Sequence, residues 1–314
     1  MGLFKSFFTG KQDSPEEVRQ KAIQKEFEIF KYDGMRAQRM GRTDYAIKCY
    51  TEALKLRHDL ETMGYLIQVY IHTGELEKAR VLLEQMVKDN PRHASAFVSL
   101  ANVCESLGDY KAMADAASQA VSIENDNATA HYLLGKADEG NGNQLMSVAH
   151  YTQAVALKSD FIEARLARAK VLVAMMQYKE AAEDIAEVLL YDAENVTALI
   201  LRGEMAQAES RLQDAENDYR QVIALNPFEE RAYVLLSNLL AGEQRTEEAL
   251  SLLDEAIETD PNSAKIYSER GRVRLTMGDK EGALADIRKS MELDPQGVKE
   301  FNGKYGTSPK ETAF

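Results

Sequence analysis

Residues 264–297 read AKIYSERGRVRLTMGDKEGALADIRKSMELDPQG, and two helices can be traced in them. Tyr267, Gly271 and Arg274 follow one another at helical steps, as do Ala283, Ile287 and Ser290. Between the two runs stands Met277-Gly278-Asp279-Lys280, a turn whose glycine ends the first helix. Asp294-Pro295 closes the stretch, because proline cannot continue the preceding helix and starts the next connection. The 34 residues therefore predict one antiparallel helix hairpin with a tight turn.

The same pattern of a small, a bulky and a second smaller residue recurs upstream. Its copies are Ala249, Leu253, Ala256; Ala215, Tyr219, Val222; Ala181, Ile185, Val188; Ala79, Leu83, Met86; and Ala46, Tyr50, Ala53. Weaker copies are anchored on Met113 and Ser147. Anchors from 79 to 283 are 34 residues apart at each of six steps, and only the step from 46 to 79 is one residue short. Turn glycines recur at Gly41, Gly74, Gly108 and Gly142. Pro91, Pro227, Pro261 and Pro295 share one slot, which holds Asn125, Ser159 and Ala193 in the remaining copies. Small residues also mark the middle of seven first helices: Gly34, Ala101, Gly135, Ala169, Gly203, Ser237 and Gly271. Glycine in a helix interior costs about 1 kcal/mol relative to alanine, so close approach of the paired helix is expected to compensate. No such hairpin can bury its apolar face alone, and its neighbours must supply the core.

These residues resemble the tetratricopeptide repeat family over roughly residues 27–297. Gly203, Ala206, Ala215, Tyr219 and Pro227 carry the pattern within one copy, and Gly271, Ala283 and Pro295 within another. The resemblance implies an all-α fold, a right-handed αα superhelix (solenoid) of about eight hairpins, with a concave groove lined by the first helices. It also implies a protein-binding scaffold or adaptor that takes a peptide or helix of another protein in that groove. The repeats are expected at about 27–59, 60–93, 94–127, 128–161, 162–195, 196–229, 230–263 and 264–297. They lie within a solenoid of residues 14–297.

Composition narrows the function classes. Apolar residues make up 45% of the 314 and charged residues 28%, which reads as helical and globular. The formal charge of −13 argues against nucleic acid as the main ligand, since phosphate binding needs a cationic surface. Cys49 and Cys104 match no metal spacing and fall on predicted helices, as small buried hydrophobes do. No apolar run is long enough to span a membrane, and a cytoplasmic location is the expectation, possibly peripheral at a membrane. No phosphate loop, dinucleotide fingerprint or nucleophile elbow is present, and no pair among His58, His72, His93, His131 and His150 stands at zinc-ligand spacing with a glutamate. Paired acids such as Glu16-Glu17 and Glu247-Glu248 sit at helix starts, where they favour the dipole. Neither a catalytic residue, a cofactor nor a metal is expected. An enzyme would need an unrecognised site.

One spacing looks like chemistry and reads as structure. Arg168, Arg202 and Arg270 fill a first-helix slot that holds leucine in four other copies, and Asp184, Asp218 and Asp286 follow sixteen residues later. The leucine copies lack the aspartate. Three partly buried ion pairs, each within one hairpin, are expected.

If the first helices line the groove, the slot after the core aromatic faces the ligand: Val98, Tyr132, Leu166, Ile200 and Val234. One turn later come Asn102, Lys136, Lys170, Glu204, Asn238 and Arg272, and after another turn Glu105, Glu139, Val173, Gln207, Ala241 and Leu275. An apolar ribbon with a mainly basic edge would suit a peptide or helix carrying apolar and some acidic side chains. The family's carboxylate clamp for acidic chaperone tails needs a lysine, asparagine and arginine set over three consecutive repeats, and no three here supply it.

At the N-terminus Ser14-Pro15-Glu16-Glu17 reads as a helix start, with serine as cap. Ahead of it, residues 1–13 form an amphipathic segment with Leu3, Phe4, Phe7 and Phe8 on one face beside Lys5 and Lys11. Weak membrane contact or self-association through residues 1–11 is compatible with that face, and Met1-Gly2 with Ser6 fits an N-myristoylation motif. A self-associating scaffold docked through these aromatics is the second functional reading. Residues 298–314 are expected to form a C-terminal cap and tail.

Overall fold

A computed structural model describes residues 14–295; the expectations for residues 1–13 and 298–314 lie outside the described residues. Sixteen helices and no strand occur among the described residues, paired as eight hairpins. The chain divides into two compact units. The first, ending at Asp160, holds α1 (Pro15–Arg39), α2 (Thr43–Leu56), α3 (Leu60–His72), α4 (Leu76–Asp89), α5 (Ala94–Ser106), α6 (Tyr110–Ile123), α7 (Ala128–Gly140) and α8 (Gln144–Leu157). The second, from Phe161, holds α9 (Ile162–Ala174), α10 (Tyr178–Tyr191), α11 (Val196–Ala208), α12 (Leu212–Leu225), α13 (Glu230–Gly242), α14 (Thr246–Thr259), α15 (Ala264–Thr276) and α16 (Lys280–Leu293).

Each first helix stops by the same local device. The residue after the turn donates its N–H back to a carbonyl five positions earlier: Arg42 to Ala37 at 2.9 Å, Asp109 to Cys104 at 2.9 Å, Arg211 to Ala206 at 2.8 Å. This is the Schellman closure, and it puts the intervening residue in the left-handed region. Gly41, Gly74, Gly108, Gly142 and Gly278 take it at φ between +68° and +84°. Met176, Ser210 and Gln244 occupy the same slot at φ +59°, +61° and +65°, so three turns tolerate a side chain where glycine is unstrained.

The small slot of the first helix has a size-matched partner sixteen residues on. Gly34, Gly135 and Gly203 lie flat against the fully buried rings of Tyr50, Tyr151 and Tyr219; a Cβ on Gly203 would sit 2.5 Å from the Tyr219 ring. Ala101, Ala169 and Ser237 are matched instead with Ala117, Ile185 and Leu253. Each tyrosine hydroxyl then needs an acceptor, and a residue twelve positions earlier supplies it. Tyr50 donates to Gln38 at 2.8 Å, Tyr151 to Glu139 at 3.0 Å and Tyr219 to Gln207 at 3.1 Å. Glycine, acceptor and tyrosine thus come as a set.

The core continues from within each hairpin into the next one of its unit. In the first unit Tyr50 and Ala46 of one hairpin pack on Leu66 and Val69 of the next, and Leu83 and Met113 belong to a second cluster. In the second, Tyr219 packs with Tyr233, Leu236 and Leu253. Cys49 and Cys104 are buried free thiols, and burial raises the pKa of Cys104.

Candidate functional site

The ion pairs come first, because they fix the first helices that would present a ligand-binding face. Arg168 grips Asp184 through Nε and Nη2, both at 2.7 Å, while Arg165 adds a contact at 3.2 Å. The Asp184 side chain is wholly inaccessible and that of Arg168 is 18% exposed. Arg270 holds Asp286 at 3.0 and 2.6 Å, and Asp254 of the preceding hairpin at 2.6 Å. Burial works against the charge of Arg270, yet the two aspartates carry its pKa above the usual value. Arg202 makes the same fork on Asp218, at 2.9 and 2.5 Å, but its side chain is 45% exposed. The three pairs share a spacing and differ in solvation.

The residues expected along the groove do not behave alike. In the first unit Val98 and Tyr132 are half-buried on the first-helix face, and the Asn102 amide donates to the Val98 carbonyl at 2.9 Å. Lys136 bonds Glu105 of the preceding hairpin and lies 5.5 Å from the centre of the Tyr132 ring. In the second unit Leu166 and Val234 are half-buried and Lys170 is exposed. Ile200 is a correction: it is 3% exposed, packed in a cluster with Leu199, Val222 and Ala232. Leu199, Ile200 and Leu201 are all buried, so α11 presents no apolar strip there.

The mainly basic edge also needs correcting. Glu204 pairs with Arg231 at 2.6 Å. Arg272 bonds both oxygens of the buried Glu269, at 2.6 and 3.0 Å, and donates to Asn238 at 2.6 Å; Glu269 in turn accepts from Ser237 at 2.8 Å. The cations of Lys136 and Arg272 are therefore met by carboxylates of the chain itself, and Glu139 and Gln207 are taken by tyrosine hydroxyls. Lys136 and Arg272 thus turn their charge to partners within the chain, while Lys170 stays exposed.

A pocket missing from the sequence reading lies at the first two hairpins. Met35, Gln38 and Arg39 of α1, Tyr50 of α2, and Tyr65 and Gln68 of α3 enclose about 380 Å³. Tyr65 stacks on Tyr50 with ring centres 5.8 Å apart. Met35 and Gln68 fill the slot of Asn102, so the signal was present. The one-residue shortening between the first two anchors moves Met35 out of a strict 34-residue register, whereas Gln68 stays in it. A second cleft of about 560 Å³ opens between α2 and α4 on the opposite side, over Leu54, Leu66, Tyr70, Val81 and Leu82. Among the described residues no three His, Cys, Asp or Glu side chains cluster as a metal site, and no helix is long and apolar enough to cross a membrane.

Comparison with known proteins agrees with this geometry. Sequence models described as tetratricopeptide repeat match residues 70–128, 166–230, 206–272 and 264–296, together more than half of the chain. A curated relative, the photosystem I assembly protein Ycf3 of Rippkaea orientalis (strain PCC 8801 / RF-1), is 36% identical over 94 residues, which are 28% of this chain. The chain spans about half of that relative's length (54%). Among solved structures, a tetratricopeptide repeat protein from Parabacteroides merdae ATCC 43184 superposes with a TM-score of 0.64 at 17% identity, covering 76% of this chain and 96% of that one. PilW, a type IV pilus biogenesis factor, gives 0.59 at 16% identity over 66% of this chain and 96% of its own. At these identities the likeness concerns the fold.

Proposed function

We propose that this chain, which belongs to the tetratricopeptide repeat family, binds a peptide or helical segment of another protein on the face formed by its first helices. Proteins of this fold generally mediate protein–protein interaction. The finer reading rests mainly on one observation: the pocket of Met35, Gln38, Arg39, Tyr50, Tyr65 and Gln68 opens on that face. Val98 and Tyr132 of the first unit, and Leu166 and Val234 of the second, add half-buried apolar surface. Arg39 lines the pocket beside apolar and neutral polar side chains, so the favoured ligand carries apolar and some acidic side chains.

The test is peptide display on the immobilised full chain. Selected peptides are expected to lose binding in the Met35→Glu/Gln68→Glu variant and to keep it in Val81→Glu on the opposite side. Peptides that bind the first variant unchanged would overturn the reading. Ile200→Glu is unsuitable as a control, because it places a carboxylate in the core.

A further inference from the structure

The first-helix face is not the only surface that the stack leaves open. In α3, α5 and α7 one stripe of the first helix packs against the preceding hairpin. Its positions are Thr62 and Val69, Ala96 and Val103, Ala130 and Ala137, all buried. In α1 the equivalent positions are Ile29 and Arg36, with Tyr32 between them, and no hairpin precedes them among the described residues. Ile29 is 50% and Tyr32 59% exposed. The stripe extends in both directions at helical steps, to Val18 and Ala22 before it and Met40 after it, and Val18 and Met40 are 55% and 67% exposed.

Two further features say what covers it. Helix α1 has 25 residues where the other first helices have 13, and of residues 15–26 only Ile23 is even half-buried. A helical stretch of that length without packing is marginal alone, so something lies along it. The charges set in the stripe are also self-complementary. An antiparallel copy of α1 crossing at Ile29 places Val18 opposite Met40 of the copy, Lys25 opposite Asp33, and Arg36 within one turn of Glu26. Neither Lys25 nor Asp33 has an ion-pair partner in the chain among the described residues. The one like-charged direct pairing, Arg19 with Arg39, lies on the solvent flank, where screening weakens it.

We infer that the occupant is a second copy of this chain, joined through a two-fold α1–α1 contact centred on Ile29. Each copy lays its projecting residues 15–26 across the C-terminal half of the other α1. End-to-end stacking would leave those residues uncovered, whereas the two-fold contact closes on itself.

Sedimentation equilibrium of the full chain tests this. The expected result is a species of twice 35.2 kDa that returns to 35.2 kDa in Ile29→Glu and in Lys25→Glu, and is restored in Lys25→Glu/Asp33→Lys. Ile29 and Lys25 are exposed and Asp33 is half-buried, and a far-ultraviolet spectrum identifies any variant that fails to fold. Ile29→Cys, at the axis, is expected to form a disulfide-linked dimer under mild oxidation, while the parent chain with its buried Cys49 and Cys104 does not. A monomer at 100 µM (roughly 10⁻⁴ M, the weak limit for a specific contact) overturns the inference. So does mass that keeps rising past the dimer, or a dimer indifferent to Ile29→Glu.

Discussion

Gly203 and Tyr219 show how closely single residues are matched in this chain. The glycine exists because the ring opposite needs its space, and the ring has nowhere to go, being wholly buried. Gly203→Ala is therefore expected to destabilise by about 2–3 kcal/mol despite alanine's better helix propensity, as overpacked cores do. The control is Gly271→Ala. There the partner is Ile287, and an added Cβ meets its nearest neighbours at 3.3 Å, so the change is expected to be close to neutral. Urea midpoints of the two variants check this, and equal midpoints would deny the size matching. Such matches are legible in the sequence: a tyrosine in one helix, glycine sixteen residues before it and an amide or carboxylate twelve before it. The three non-glycine turns were less visible. Nothing in the residue types of Met176, Ser210 or Gln244 announces a positive φ, and only the period places them there.

Between elements, charge bridges join one hairpin to the next. Glu216 of α12 is nearly buried and is held by Arg245, at the start of α14, at 2.7 and 3.0 Å, and by Arg220 at 2.8 Å. Hydrogen bonding to Arg245, with Arg220 adding to it, outweighs burial and brings the Glu216 pKa from 4.5 to about 2. A carboxylate whose folded pKa is depressed contributes stability above its unfolded pKa and loses it as pH falls through the folded value. Stability is thus expected to decline between about pH 4.5 and about 2 as this bridge is protonated, and Glu216→Gln is expected to flatten that part of the profile. Thermal melts across the range measure it; parallel profiles for parent and variant would exclude the bridge as the cause. Partners such as Arg231 and Glu204, or Lys136 and Glu105, were not legible beforehand. They are 27 and 31 residues apart and meet only through the way hairpins stack. The pairs within hairpins were legible, since a fixed spacing of sixteen names both members, although their unequal exposure was not. Ile200 went astray for the same reason: equal slots were given equal exposure, while the neighbouring hairpin decides what is covered.

At the scale of the molecule, hairpins that within each unit depend on the next behave as linked units rather than one all-or-none body. A lesion in one hairpin should then loosen that hairpin and its neighbours first. Asp184→Ala removes the enclosed carboxylate that the Arg168 guanidinium grips, a cost of about 3 kcal/mol for a buried pair. Amide hydrogen exchange is expected to accelerate in α9 and α10 well before it does in α1 to α4. Uniform acceleration over the whole chain would show a single cooperative body instead. The periodic sequence made the number and order of the helices readable, because each 34-residue copy repeats the same instructions. It did not announce the exposed face of α1, because exposure there depends on which hairpin lies against it and not on the period.

The two buried thiols carry a practical consequence. Cys49 sits in the first hairpin and Cys104 in the third, each shut away from reagent while its layer is closed. An alkylating agent can react with them only during transient breathing, so each works as a built-in clock for the opening of its own layer.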